Sequence, residues 1–144
     1  MTACRVAFAL LLTLTFATSA QAGRVATFQT PSRNIVCEAY IGTAAQSNVQ
    51  CGIKSGLVGA RPAAHCSAGD PSTSQVWLSA RGRGARVTCA GDPGPFLYTH
   101  APILGYAHVW SDGALRCVSA RPGLTCTNRR GHGFFLSRQS WRVW

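Results

Sequence analysis

The stretch Gly131-His132-Gly133-Phe134-Phe135-Leu136-Ser137-Arg138 holds the residues best suited to local chemistry. Glycines on both sides of His132 permit backbone angles that other residues avoid, and they leave the imidazole uncovered. Read functionally, His132 and Arg138 form a small anion-binding pair. Read structurally, the stretch is a glycine turn feeding a core strand, with Phe134 and Leu136 inward. The densest basic run is Arg81-Gly82-Arg83-Gly84-Ala85-Arg86; the next is Arg129-Arg130, and Trp141-Arg142-Val143-Trp144 interleaves aromatics with charge. A guanidinium binds phosphate or carboxylate through two parallel hydrogen bonds, and an aromatic plane stacks on sugars or bases. The candidate binding residues are therefore Arg81, Arg83, Arg86, Arg129, Arg130, His132 and Arg138. The structural alternative for the loop arginines is a set of charged hairpin tips that keep strand edges from associating.

Catalytic chemistry lacks its parts. No serine sits in a G-x-S-x-G elbow. Paired carboxylates would have to come from Glu38, Asp70, Asp92 and Asp112. The three aspartates abut Gly or Pro in turn-like contexts, where aspartate caps backbone. His65, His100, His108 and His132 show neither H-x-H nor H-x-x-x-H spacing. The cysteines show no C-x-x-C pair of the kind structural zinc sites favour. No catalytic residue, metal ligand or cofactor is expected.

These side chains must be placed by short strands. Turn signals recur throughout, among them Pro31-Ser32, Gly42, Ser55-Gly56, Gly82-Arg83-Gly84, Gly91-Asp92-Pro93-Gly94-Pro95, Asp112-Gly113 and Pro122-Gly123. The segments between them mostly alternate apolar and polar residues. This pattern predicts an all-β fold, a small disulfide-stapled antiparallel sandwich or barrel. No window carries the period of a long amphipathic helix.

Alternation also orients the cysteines. Ile35, Cys37, Ala39 and Ile41 share one strand face, as do Val49, Cys51 and Ile53, and Ala85, Val87 and Cys89. Leu115 goes with Cys117, and Leu124 with Cys126. Cysteines that face a core are structural. Two pairings follow. A hairpin around Gly42–Ser47 brings Cys37 opposite Cys51. A second, with Pro122-Gly123 at the centre of a type II turn, brings Cys117 near Cys126. Cys66 and Cys89 then pair by exclusion, one choice among the 15 connectivities that six cysteines allow.

The N-terminus reads as a cleaved secretory signal over residues 1–22. Arg5 supplies the early positive charge, an apolar run extends from Val6 to Phe16, and Ala20-Gln21-Ala22 gives the small-x-small cleavage pattern. The run is shorter than the roughly 20 residues of a lasting membrane anchor, so no transmembrane anchor is expected. Residues 23–144 read as a single β-rich domain. An exported chain with six remaining cysteines expects an oxidising compartment, periplasmic or extracellular. The whole chain carries a formal charge of +10, and loss of Arg5 leaves +9. Such a charge favours anionic polymers and surfaces and says nothing about the fold.

Phe28-Gln29-Thr30-Pro31-Ser32-Arg33-Asn34-Ile35-Val36-Cys37 resembles the opening motif of a family of bacterial exported, cysteine-containing proteins of unknown function. The closing stretch Gly123-Leu124-Thr125-Cys126-Thr127-Asn128, followed by Gly131 to Arg138, is similar to the same family. The resemblance covers most of residues 28–144 and is weaker in the middle. Arg33 and Thr99 stand where the family pattern has Gly. The resemblance implies compartment and class, and supplies no activity.

The reading best matched to these residues is a non-enzymatic binding or accessory protein of the bacterial envelope. Its arginine-rich surface would hold an anionic envelope polymer, a lipid headgroup or an acidic protein; nucleic acid is not expected as a partner. The alternatives are a small secreted basic hydrolase of phosphodiesters, which would combine His132 with Glu38 and Arg138, and an inhibitor of an extracellular enzyme. The two-hairpin scheme is tested by peptide mapping of the oxidised protein. Cys37 is expected bonded to Cys51, and a peptide joining Cys37 to Cys117 overturns the scheme.

Overall fold

The computed structural model describes residues 23–57, 74–89 and 94–144. Five strands form the first sheet in chain order: β1 (Arg24–Gln29), β2 (Ile35–Ile41), β3 (Asn48–Ile53), β4 (Ser74–Ser79) and β5 (Arg86–Cys89). Five more form the second, again in order: β6 (Val109–Asp112), β7 (Leu115–Ala120), β8 (Gly123–Asn128), β9 (Gly133–Leu136) and β10 (Trp141–Val143). Every neighbouring pair is antiparallel. The sheets pack face to face, with β4 against β8 and β9. The fold is a sandwich of two meanders, not a closed barrel. No helix among the described residues is long and apolar enough to cross a membrane.

Alternation builds the core. Ile35, Cys37, Ala39, Val49, Cys51, Ile53, Val76 and Leu78 fill it from the first sheet, and Leu115, Cys117, Leu124, Cys126, Phe134 and Leu136 from the second. At one edge Phe28 of β1 stacks on Trp110 of β6, ring centroids 5.2 Å apart. At the same edge Arg24 pairs with Asp112. Cys37 is bonded to Cys51 and Cys117 to Cys126, each across directly opposed strand positions, with Cα atoms 4.1 and 4.0 Å apart. In each sheet the bond joins the second and third strands in chain order. Each closes a short loop, of 14 and 9 residues in sequence separation, and restricts the unfolded chain by about 3 kcal/mol. The expected Cys66–Cys89 pairing lies outside the described residues, because Cys66 does.

One turn reading needs correction. The β7–β8 turn is centred on Arg121-Pro122, since Ala120 pairs with Gly123. Gly123 is instead the first residue of β8. A Cβ there would stand 2.2 Å from the Leu136 carbonyl oxygen and 2.8 Å from the Phe135 ring, so the glycine serves strand pairing, not turn conformation. The Gly91–Pro95 signal ends in a single 3₁₀ turn, Gly94–Leu97, that lies on the outer face of the first sheet. Phe96 covers Gly52 so closely that a Cβ would meet its ring at 2.3 Å. Tyr98 reaches Glu38, Oη to Oε1 3.5 Å. The chain then borders β1: the Gln29 N–H donates to the Pro102 carbonyl, and the Leu104 N–H to that of Gln29. Val36 and Gln75 are consequently fully buried although they face away from the inter-sheet core.

Arg33 adopts φ +55°, a left-handed conformation that favours glycine. Its N–H donates to the Thr30 carbonyl, closing the β1–β2 turn. A left-handed conformation costs a side-chain-bearing residue about 1 kcal/mol. Arg33→Gly is therefore expected to leave stability unchanged or raise it by up to about 1 kcal/mol, the gain being offset by greater freedom of the unfolded chain. Arg33→Val should lower it by about 1 kcal/mol or more, because β-branched residues tolerate this region worst. Gly123→Ala should cost about 2 kcal/mol or more by overpacking. Denaturant unfolding of the three variants measures all of these changes.

Candidate functional site

The β4–β5 loop carries Arg81 and Arg83, and the β8–β9 turn carries Arg129, Arg130 and His132. Asn128 joins the two. Its buried side-chain amide donates to the carbonyls of Ser79 and Gly82, both at 3.0 Å. Its Oδ1 accepts from the N–H groups of Arg130 at 2.9 Å and His132 at 3.2 Å. One carboxamide thus shapes its own turn and fastens the neighbouring loop to it. Asparagine suits both tasks because it presents donor and acceptor on a short side chain.

Trp144 adds a second tie at this end. Its carbonyl oxygen accepts from Gly133 N–H at 3.0 Å and from Ala85 N–H at 3.3 Å. Its indole N–H donates to the Gly131 carbonyl at 2.8 Å. The Arg142 guanidinium lies 5.2 Å from the Trp144 ring and 5.9 Å from that of Phe135. Arg81, Arg83, Arg129 and Arg130 are exposed and His132 is half-buried. None of these four arginines has an acidic partner among the described residues, where the ion pair is that of Arg24 with Asp112. Arg86 is also exposed but reaches across to β4, its guanidinium 4.2 Å from the centroid of the opposed Trp77 ring.

Arg138 lies elsewhere. It follows β9, whose extended chain advances about 3.3 Å per residue, so it stands at the opposite end of the sandwich from His132. The expected His132–Arg138 pair is not assembled. Glu38 is on the outer face of the first sheet beneath Tyr98, so His132, Glu38 and Arg138 occupy three separate places. Arg138 instead lines a cleft with Arg121. Among the described residues no group of three or more His, Cys, Asp or Glu is placed to hold a metal ion.

Sequence reasoning passed over Arg121 and the clamping role of Asn128. Arg121 was legible as a hairpin-tip residue one position before Pro122. Nothing local marks Asn128 as a clamp, because its partners lie 46 and 49 residues away.

Fold and site together define a class: a disulfide-stapled β-sandwich of two five-stranded meanders with an arginine-bearing end. The chain belongs to a family of unknown function, DUF6636, whose sequence profile it matches over residues 7–143. No curated protein and no solved structure matches it.

Removing the clamp should be felt in two ways. Asn128→Ala leaves the Ser79 and Gly82 carbonyls without this donor and is expected to cost about 3 kcal/mol. Amide hydrogen exchange should also rise in Arg130 and His132, which lose their acceptor. Unchanged protection at both amides counts against the clamp.

Proposed function

We propose that this protein is an exported, non-enzymatic binding or accessory protein of the bacterial envelope. Its partner is a surface bearing repeated phosphates or carboxylates, engaged by Arg81, Arg83, Arg129 and Arg130. The observation that carries this reading is the Asn128 clamp, which sets two arginine-bearing loops side by side at one end of the sandwich. Hydrogen bonds to the backbone fix the spacing of the two loops before binding, which lowers the entropic cost of engaging several anionic groups. Export is supported by the signal-like pattern of residues 1–22, which lie outside the described residues, and by two disulfides, which persist in oxidising compartments.

The test is retention on anionic lipid vesicles and on isolated wall fragments across a salt series. Binding to one of these surfaces at low salt should fall steeply at high salt, as the Debye length shrinks from about 10 Å at 0.1 M to about 3 Å at 1 M. Combined Arg81→Gln, Arg83→Gln, Arg129→Gln and Arg130→Gln should weaken low-salt binding by about tenfold or more, since each exposed pair contributes up to about 1 kcal/mol. Retention that ignores both salt and the four substitutions discards the reading.

A further inference from the structure

At the end of the sandwich away from the arginine loops, three turns enclose a cleft of about 280 Å³. They are the β1–β2 turn around Ser32, the β7–β8 turn at Arg121, and the β9–β10 turn at Ser137–Gln139. The volume is close to the lower bound of about 300 Å³ for small-ligand sites. Arg121 and Arg138 both line it, and no acidic residue does. Neither guanidinium has an acidic partner among the described residues.

The walls are fixed by their own hydrogen bonds. The Ser137 hydroxyl donates to the Ser140 carbonyl at 2.9 Å and accepts from the N–H groups of Gln139 and Ser140. The buried Thr30 hydroxyl accepts from Ile35 N–H at 3.3 Å. These groups shape the turns and are not free for a ligand. By contrast, the Gln139 carboxamide and the Tyr106 hydroxyl have no hydrogen-bond partner among the described residues. The Tyr106 ring is also the surface beside which the Arg121 guanidinium sits, 5.6 Å from the centroid.

We propose that this cleft binds an acidic saccharide unit, a sugar ring carrying a carboxylate. The chemistry is divided among the lining residues. Arg121 and Arg138 match a carboxylate in charge and fork geometry. Tyr106, an exposed residue of the cleft lining, offers the ring surface left beside the Arg121 guanidinium to the C–H side of a sugar. The Gln139 carboxamide can pair with ring hydroxyls, whereas the Ser32 hydroxyl is engaged in its own turn, accepting from the Asn34 N–H at 3.4 Å and bonded to the Thr30 hydroxyl at 3.2 Å. A bare anion would use the arginines and leave the remaining wall idle. An aliphatic acid would cover the Gln139 carboxamide without pairing it, which is costly. The site is separate from the arginine loops, and the inference stands apart from the envelope-surface reading.

The test is a titration of isotopically labelled protein with glucuronate, followed through backbone amide shifts. Glucose, acetate and inorganic phosphate are run in parallel. Glucuronate is expected to move the amides of Gly123, Ser137 and Gln139, and to bind about tenfold or more tightly than each of the other three. Arg121→Gln and Arg138→Gln should each weaken it about tenfold. Arg83→Gln, at the opposite end, should not change it. Thermal unfolding checks that the variants fold, since both cleft arginines are exposed. The proposal is overturned by unmoved amides around the cleft, by binding indifferent to both cleft substitutions, or by phosphate binding as tightly as glucuronate.

Discussion

Strand register is the constraint on which the rest of this molecule depends. A one-residue slip in a sheet sends every side chain to the opposite face. Cys37 opposite Cys51 and Cys117 opposite Cys126 forbid that slip at the centre of each meander. With the cysteines held inward, Ile35, Val49 and Ile53 must point inward too, as must Leu115 and Leu124. Both bonds are fully buried. They define which side of each sheet is core, and by subtraction which side meets solvent.

The same constraint decides where charge can go. Strand interiors are committed to packing, so most of the arginines stand at hairpin tips or on outward strand positions. A meander delivers its tips alternately to the two ends of the sandwich. Arg81, Arg83, Arg129 and Arg130 therefore collect at one end and Arg121 and Arg138 at the other. Sequence proximity does not predict this partition. His132 and Arg138 are six positions apart yet separated by the length of a strand, whereas Arg83 and Arg130 are distant in sequence and share an end.

Much of the fold was legible because period-two alternation is a local signal. It marked the all-β class, the inward faces of Cys37, Cys51, Cys117 and Cys126, and the β2–β3 hairpin loop Gly42–Ser47. Reading Pro122-Gly123 as a turn centre failed because a glycine can also permit close approach, and here the neighbour is Leu136 on another strand. The buried outer face of the first sheet was missed for a similar reason. Val36 and Gln75 alternate as surface positions do, and what covers them arrives from the 3₁₀ turn and the chain beyond it. The candidate site was legible as a composition of arginines but not as a place, since Asn128 acts across 46 to 49 residues.

Each described disulfide closes its own hairpin, β2–β3 or β7–β8, and each sheet is assembled from consecutive strands. For a chain that emerges N-terminus first, this ordering has a kinetic consequence. Cys51 emerges while Cys117 and Cys126 are still to come, so Cys37 meets its correct partner before those competitors exist. The first meander can form its ladder of pairings before the second is available, and sequential pairing keeps contacts local, which favours fast folding over the long-range closures of a Greek key. The second meander then closes on a finished template. Neither bond ties one sheet to the other, so among the described residues the joint between the halves rests on side-chain packing and on the contacts of Phe28 with Trp110, Arg24 with Asp112, Asn128 with the β4–β5 loop, and Trp144 with Ala85.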